Sequence, residues 1–253
     1  MRQRDRTAII TAAVLLLSVA CASEAEPQAD PSTSDEAEIQ VLAASDCPAL
    51  PCEGWLDPGV YRVTFFEPTL EFEVAASGWT WDYSTPLTNG GNFRLIADES
   101  HELPYNSDGI YFLLDPAVAS RTCEEKAEAG VGRSVEDLVG WLEQAPGLVV
   151  SEPESVVVGG LDGVQVDIEL DPGWKKDCFF SERMPTVPLL IHRADIGAYH
   201  WTILPGMSMR WYILATGDGV LIADIEDGPD GLSHKDLLEE GTEIVETFTF
   251  SSS

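Results

Sequence analysis

The sequence predicts an α+β fold, in which a mostly antiparallel sheet is packed by two helices. The first observation is a set of segments in which apolar and polar residues alternate, as they do in strands with one covered face. The second is a pair of segments with helical apolar spacing behind a capping sequence. Apolar residues are spread through residues 45–253 without an intervening linker, so we expect one domain over that range.

The strand pattern is clearest over residues 164–170, which follow a valine run at 156–158 and the glycines of 159–163. That order is typical of a β-hairpin. Similar patterns predict two further pairs of strands, residues 61–65 with 70–74 on either side of Pro68, and residues 207–216 with 220–225. Weaker patterns predict strands at residues 109–114 and 199–204.

Both predicted helices begin with a Ser-x-x-Asp capping sequence, at Ser134 and at Ser233. An apolar stripe follows in each helix: Val135, Leu138, Val139 and Leu142 in the first, and Leu237, Leu238, Ile244 and Val245 in the second. Gly241 lies inside the second helix and weakens it by about 1 kcal/mol relative to alanine. Residues 247–250 then predict a short final strand.

Residues 1–20 predict an export signal peptide, because basic residues precede an apolar stretch that is too short to cross a bilayer. Cys21 follows, and residues 17–21, Leu-Ser-Val-Ala-Cys, resemble a bacterial lipobox with the preferred leucine one place early. In this interpretation Cys21 carries fatty acids such as palmitate, and the lipoprotein is anchored on the extracytoplasmic face of the cell membrane. The alternative is ordinary cleavage beside an unmodified cysteine.

Residues 21–44 are small and acidic, with proline and serine and almost no large apolar side chain. Such a segment does not bury enough apolar surface to offset the entropy of ordering it. We therefore predict a disordered acidic tether between the anchor and the domain.

The net charge of the chain is −30, and it becomes −32 without residues 1–20, whose own net charge is +2. This charge disfavours nucleic acid as a partner. It also repels anionic lipid headgroups, so attachment to the membrane depends on the lipid anchor. Two explanations of the acidity compete, adaptation to a salty habitat and recognition of a cationic partner or calcium. The acids are spread along the chain, which favours habitat.

Four cysteines remain besides Cys21, an even number that predicts two disulfides in an exported protein, with three possible connectivities. Cys47 and Cys52 are close enough to close a small local loop, which leaves Cys123 to pair with Cys178. A metal site is the alternative, but the chain has no Cys-x-x-Cys pair and its four histidines are scattered.

Several turn and core motifs resemble those of exported actinobacterial proteins of unknown role. They are Gly59-Val60-Tyr61 with Gly78-Trp79, Trp141-Leu142 before Pro146-Gly147-Leu148, Val158-Gly159-Gly160-Leu161, and the ending Glu243-Ile244-Val245. Their arrangement is also similar to PsbP-like domains, including mycobacterial LpqN-type lipoproteins. The resemblance implies a PsbP-like sandwich and a role in binding or assembly, and it brings no catalytic residue with it.

Two weaker patterns offer binding residues. Trp79, Trp81 and Tyr83 fall on one side of a strand and could stack on a sugar or another flat ligand, although alternating aromatic residues are more often core. Asp224, Glu226, Asp227 and Asp230 offer oxygen ligands for calcium, although their spacing differs from the EF-hand loop and Asp/Gly/Pro clusters usually form turns.

The sequence contains no nucleophile elbow, zinc-protease motif, phosphate loop or dinucleotide-binding motif. We therefore expect no cofactor and no catalysis, and interpret the protein as a binding or assembly module for an unknown protein or small-molecule ligand. The alternative is an extracytoplasmic hydrolase with an unrecognised site. A pocket that gathers His, Ser and acidic side chains would favour the hydrolase, and a cleft without them would favour the binding module.

Overall fold

The computed structural model describes residues 38–43, 52–64, 67–84, 92–97, 108–194, 197–217, 219–228 and 237–251. All of them belong to one unit, Ala37–Ser253. The predicted signal peptide, Cys21 and the tether as far as residue 37 lie outside the described residues.

Sixteen strands and two helices make up the regular structure of the described residues. In chain order they are β1 (Ile39–Leu42), β2 (Cys52–Leu56), β3 (Gly59–Val63), β4 (Thr69–Val74), β5 (Trp79–Ser84), β6 (Asn92–Ala97), β7 (Gly109–Leu114), β8 (Ala117–Val118), α1 (Val135–Gln144), β9 (Leu148–Val150), β10 (Glu154–Val158), β11 (Leu161–Leu170), β12 (Val187–Ala194), β13 (Gly197–Ile203), β14 (Ser208–Ala215), β15 (Val220–Asp227), α2 (Leu237–Glu246) and β16 (Thr249–Ser251).

These strands form three sheets. The central sheet has nine strands, in the order β10-β11-β14-β15-β7-β6-β5-β2, with β9 paired to β11. A four-stranded sheet has the order β1-β3-β4-β16, and a three-stranded sheet has the order β13-β12-β8. Neighbouring strands are antiparallel except β1 and β3, which pair in parallel.

Both faces of the middle strands of the central sheet, β14, β15 and β7, are buried, because their side chains alternate between two apolar cores. On β14, Tyr212 and Leu214 enter a core that includes residues of the four-stranded sheet and α2. Trp211 and Ile213 point the other way, into a core that includes residues of the three-stranded sheet and α1. A strand covered on both faces has no solvent-facing row, so its sequence becomes nearly all apolar.

The predicted α+β sandwich packed by two helices, and the PsbP-like arrangement with it, is wrong. The fold is β-rich, since a second sheet contributes to the cover on each face of the central sheet and each helix supplies only part of that cover. The prediction missed six strands, either because they are short or because they lack alternation: β1, β2, β6, β8, β9 and β12.

The strands that the sequence did predict are confirmed. Residues 61–63 of the predicted segment 61–65 fall on β3 and residues 70–74 fall on β4, which pair antiparallel, while residue 65 lies outside the described residues. The two predicted hairpins are β10 with β11 and β14 with β15. The first hairpin turns at Gly159 and Gly160, which both have positive φ, a backbone conformation that favours glycine.

The capping box predicted for the first helix is also confirmed. The Asp137 backbone N–H donates to the Ser134 hydroxyl, and the Ser134 backbone N–H donates to the Asp137 carboxylate, both at 3.2 Å. The second helix begins at Leu237 among the described residues, and its predicted start at Ser233 lies outside them. Within the described part of the chain, no helix has the length and apolar character needed to cross a membrane.

The last residues of the predicted 21–44 tether form a strand instead. Ile39–Leu42 pair in parallel with Gly59–Val63, in a register that places Ile39 opposite Val60 and Leu42 opposite Val63. Leu42 packs against the core of the four-stranded sheet. The tether interpretation therefore does not apply to these residues, which carry the apolar side chains that the rest of residues 21–44 lack.

Two helical glycines should respond oppositely to substitution by alanine. A Cβ at Gly140 in α1 would meet no atom within 4 Å, so Gly140→Ala should stabilise the fold by about 1 kcal/mol through helix propensity. A Cβ at Gly241 in α2 would lie 2.7 Å from Cγ2 of Ile225, and overpacking of this kind costs roughly 1–3 kcal/mol. Gly241→Ala should therefore destabilise the protein, as measured by urea unfolding. Equal stabilisation by both substitutions would contradict the close packing of α2 on β15.

Candidate functional site

A row of polar side chains crosses four neighbouring strands of the central sheet, on the face that the three-stranded sheet covers. The antiparallel registers place Asp82 of β5 opposite Arg94 of β6, and Arg94 opposite Tyr111 of β7. Tyr111 lies in turn opposite Asp224 of β15. We refer to these four residues as the polar row.

Each member of the polar row contacts a neighbour. Arg94 Nη2 lies 3.4 Å from Asp82 Oδ2, and the Arg94 guanidinium lies 6.0 Å from the centre of the Tyr111 ring. The Trp201 ring, from β13, meets the Tyr111 ring edge to face at 4.8 Å. The Trp201 indole N–H also donates to Asp224 Oδ2 at 2.6 Å. Trp201 therefore links the polar row to the three-stranded sheet.

Asp224 is completely buried. Burial raises the pKa of Asp224 to about 7, while the indole groups of Trp201 and Trp211 favour the charged form and oppose that rise. Trp211 is the cross-strand neighbour of Asp224, but its N–H makes no hydrogen bond of good geometry with the described residues. One strong hydrogen bond thus compensates only part of the cost of burying this carboxyl group.

The pKa values of Tyr111 and Arg94, which also belong to the polar row, are shifted as well. Burial raises the pKa of the Tyr111 hydroxyl well above its usual value, Glu226 adds to that rise, and Arg94 opposes it. Burial lowers the pKa of Arg94, but Tyr111 and Asp82 outweigh this effect, so that it ends above its usual value. Because Asp224 has no access to solvent, we interpret the polar row as a structural network rather than a catalytic site.

The acidic residues proposed as calcium ligands do not converge. Asp224 and Glu226 are buried on one face of β15, whereas Asp227 belongs to the opposite face of the strand. Asp230 lies outside the described residues. Within the described residues, no group of three or more His, Cys, Asp or Glu side chains could hold a metal ion.

The aromatic residues proposed as a stacking platform belong to the core. Trp79 and Tyr83 are buried there, and Trp81 is half-buried and packs against the same core. A Cβ at Gly54 of β2 would lie only 2.7 Å from Nε1 of Trp81, so the neighbouring strand closely approaches this indole. These three side chains therefore form no exposed platform.

The long disulfide has the connectivity that the sequence predicted. Cys123 and Cys178 are bonded with a Cα–Cα distance of 5.5 Å, across 55 residues of chain. The bond joins the loop after β8 to the loop before β12. Cys47 and the side chain of Cys52 lie outside the described residues, so their pairing stays a prediction.

A pocket of about 460 Å³ opens beside this disulfide. We refer to it as the disulfide pocket. It lies between the end of α1, the two disulfide-linked loops and the start of β12, and Cys123 itself contributes to its wall. The lining includes two cations, one carboxylate, two threonines and a tryptophan: Arg121, Lys176, Asp177, Thr122, Thr186 and Trp174.

The tryptophan of the disulfide pocket is held on several sides. The Trp174 indole N–H donates to the backbone carbonyl of Thr186 at 2.9 Å. The Lys176 ammonium lies 5.0 Å from the centre of the Trp174 ring. Gly147, which has a φ of +89°, approaches the ring so closely that a Cβ there would overlap it. This packing fixes the wall from which Lys176 projects.

The residues of the disulfide pocket were not predicted from the sequence, although the sequence contains a signal for them. Arg121 stands two residues before Cys123, and Lys176 stands two residues before Cys178. Pairing these cysteines necessarily brings the two cations into one region. Basic residues are scarce in this chain, so their position beside both cysteines was informative.

In comparisons with known proteins, no family model and no curated protein matches this chain. The interpretation of the disulfide pocket therefore rests on its own residues.

Stability should fall with rising pH because of Asp224. Its pKa is 3.8 in an ordinary environment and about 7 in the fold, so between these values the folded state holds a proton that the unfolded state has released. The contribution of Asp224 to the free energy of unfolding is therefore largest below pH 3.8, and it is lost as the pH rises to about 7. A difference in pKa of this size corresponds to about 4 kcal/mol.

Asp224→Asn should remove this dependence, so that its stability relative to the wild type increases between pH 4 and pH 7 in chemical unfolding. Asp162→Asn is the control, since it removes one carboxylate from an exposed position on β11. A stability difference for Asp224→Asn that stays constant across this pH range would contradict the assignment.

Proposed function

We propose that this protein is a lipid-anchored lipoprotein on the extracytoplasmic face of the cell membrane, and that its domain binds a ligand without converting it. Residues 1–20 and Cys21 support export and acylation, because a basic start and a short apolar stretch precede a cysteine in a lipobox-like sequence. The Cys123–Cys178 disulfide is consistent with an oxidising, extracytoplasmic compartment.

The disulfide pocket is the observation that carries the binding role. Its volume of about 460 Å³ is typical of sites for small molecules. Its lining contains neither histidine nor serine. The two threonine hydroxyls of the lining are engaged elsewhere, since Thr122 donates to Glu124 at 2.7 Å and Thr186 donates to the carbonyl of Ile203 at 3.0 Å. A pocket without a nucleophile beside a general base favours binding over hydrolysis.

Acylation should occur at Cys21. Expression in a bacterial host with labelled palmitate should label the wild-type protein and the Cys47→Ser control, because Cys47→Ser leaves the lipobox at residues 17–21 unchanged. Cys21→Ser should carry no label. Label on Cys21→Ser, or its absence from all three proteins in a host that labels its own lipoproteins, would contradict the anchor.

The binding role predicts that filling the disulfide pocket removes a bound molecule. Thr122 is exposed at the pocket, so Thr122→Trp should fill it without disturbing the core. Full-length lipoprotein purified from membranes should show an extra mass in native mass spectra that is lost on denaturation, and Thr122→Trp should lack it.

The control is Thr249→Trp, which introduces the same side chain at an exposed position on β16. It should keep the extra mass. Wild-type protein without such a mass, or a Thr122→Trp variant that retains it, would count against the proposed function.

A further inference from the structure

The basic side chains of this acidic protein are unevenly distributed. The structure describes nine basic side chains, and that of Arg193 on β12 lies outside them. Five of the nine form ion pairs with carboxylates: Arg62, Arg94, Lys126, Arg133 and Arg210. The other four form no ion pair with described residues, and all of them lie in the segments next to the disulfide: Arg121, Lys175, Lys176 and Arg183. The chain has 44 acidic residues and 14 basic ones, so carboxylates are not scarce. Unpaired cations concentrated at one place point to a ligand that supplies the negative charge.

Two of these cations line the disulfide pocket. Arg121 and Lys176 contribute two positive charges, and Asp177 contributes one negative charge, so the charged side chains of the lining sum to +1. A ligand with a single negative charge would neutralise this lining. Since neither Arg121 nor Lys176 is ion-paired within the described residues, an anion would not have to displace a carboxylate to reach them.

The remaining wall of the disulfide pocket is apolar. Ala145 and Pro146 at the end of α1, with Val187 and Pro188 at the start of β12, contribute to it. An apolar wall stabilises a hydrocarbon body by removing it from water. The volume of about 460 Å³ is large enough for a ring or a short chain besides an anionic group.

We propose that the disulfide pocket binds an organic monocarboxylate with an apolar body, and that Arg121 and Lys176 hold its carboxylate while the apolar wall covers the body. This inference rests on the proposed binding function and specifies the class of ligand. A guanidinium group presents paired donors that match the two oxygens of a carboxylate, and an ammonium group adds a second charge-assisted hydrogen bond.

Both cations are restrained before a ligand arrives. The Arg121 guanidinium lies 5.4 Å from the centre of the Trp141 ring, and the Lys176 ammonium lies 5.0 Å from that of Trp174. Aromatic rings attract cations placed over their faces and limit their freedom. Restraint of this kind lowers the entropy that binding would otherwise cost.

The disulfide supports the same arrangement. It joins the two loops that carry Arg121 and Lys176, each two residues before a bonded cysteine. Without the bond, the loops are connected only through 55 residues of chain. We therefore expect the affinity for the carboxylate to depend on the oxidised state of Cys123 and Cys178.

The test is isothermal titration calorimetry of the full-length lipoprotein in phosphatidylcholine nanodiscs, with empty nanodiscs subtracted. The probe is cyclohexanecarboxylate, and its comparators are cyclohexylmethanol, which lacks the charge, and acetate, which lacks the body. The probe should bind at least about tenfold more tightly than either comparator, because one charge-assisted hydrogen bond or one buried ring contributes about this much.

The variants Arg121→Gln and Lys176→Gln should each weaken binding of the probe by about tenfold or more. Lys175→Gln is the matched control, since Lys175 is the exposed neighbour of Lys176 and is not part of the pocket lining. It should change the affinity less than twofold. Thermal melts verify that each variant is folded, and reduction of wild-type protein that remains folded should also weaken binding.

Two results would overturn the inference: equal affinity for the probe and cyclohexylmethanol, or equal losses in Lys175→Gln and Lys176→Gln. If the native mass spectra still show a bound molecule that Thr122→Trp loses, only the ligand class is refuted and the binding function stands. If Thr122→Trp retains that molecule and binds the probe like the wild type, the proposed function fails as well.

Discussion

The burial of both faces of the middle strands of the central sheet is the constraint on which the rest of this structure depends. A strand between two cores has no solvent-facing row, so every polar side chain on it needs a partner inside the protein. Asp224 shows the consequence, because it is fully buried and accepts a 2.6 Å hydrogen bond from Trp201 of the covering sheet. A buried carboxyl group that meets its partner only across a sheet interface also ties the position of one sheet to that of the other.

The same constraint explains why sequence patterns underestimated the number of strands. One-sided alternation predicts strands with a wet face, and it succeeded for β3, β4 and β11. It gives no signal for β12, whose residues Val187–Ile191 are all buried. Helical stripes with capping boxes are stronger local signals, so α1 was predicted correctly while two of the three strands in the sheet that shares its core, β8 and β12, were missed. Local patterns therefore led to a prediction in which the two helices cover the sheet, whereas other strands supply part of that cover.

The position of the basic side chains depends on the disulfide rather than on the buried sheet. Acidic residues outnumber basic ones 44 to 14, and the nine described basic side chains either form ion pairs or lie in the segments that the disulfide joins. The Cys123–Cys178 bond keeps the segments of Arg121 and Lys176 together although their like charges repel each other. The disulfide therefore does more than restrict the unfolded chain, since it also brings two cations into one pocket.

The sequence by itself determined the pairing of Cys123 with Cys178, the capping box of Ser134 and Asp137, and the strands with one exposed face. These features depend on neighbouring residues or on counts, which the chain displays directly. Only the tertiary structure decided that the middle strands of the central sheet are covered on both faces, that Asp224 lies against Trp201, and that Arg121, Lys176 and Trp174 line one pocket. Each of these depends on which distant strands and loops become neighbours, and that choice is set by the packing of whole sheets rather than by any local pattern.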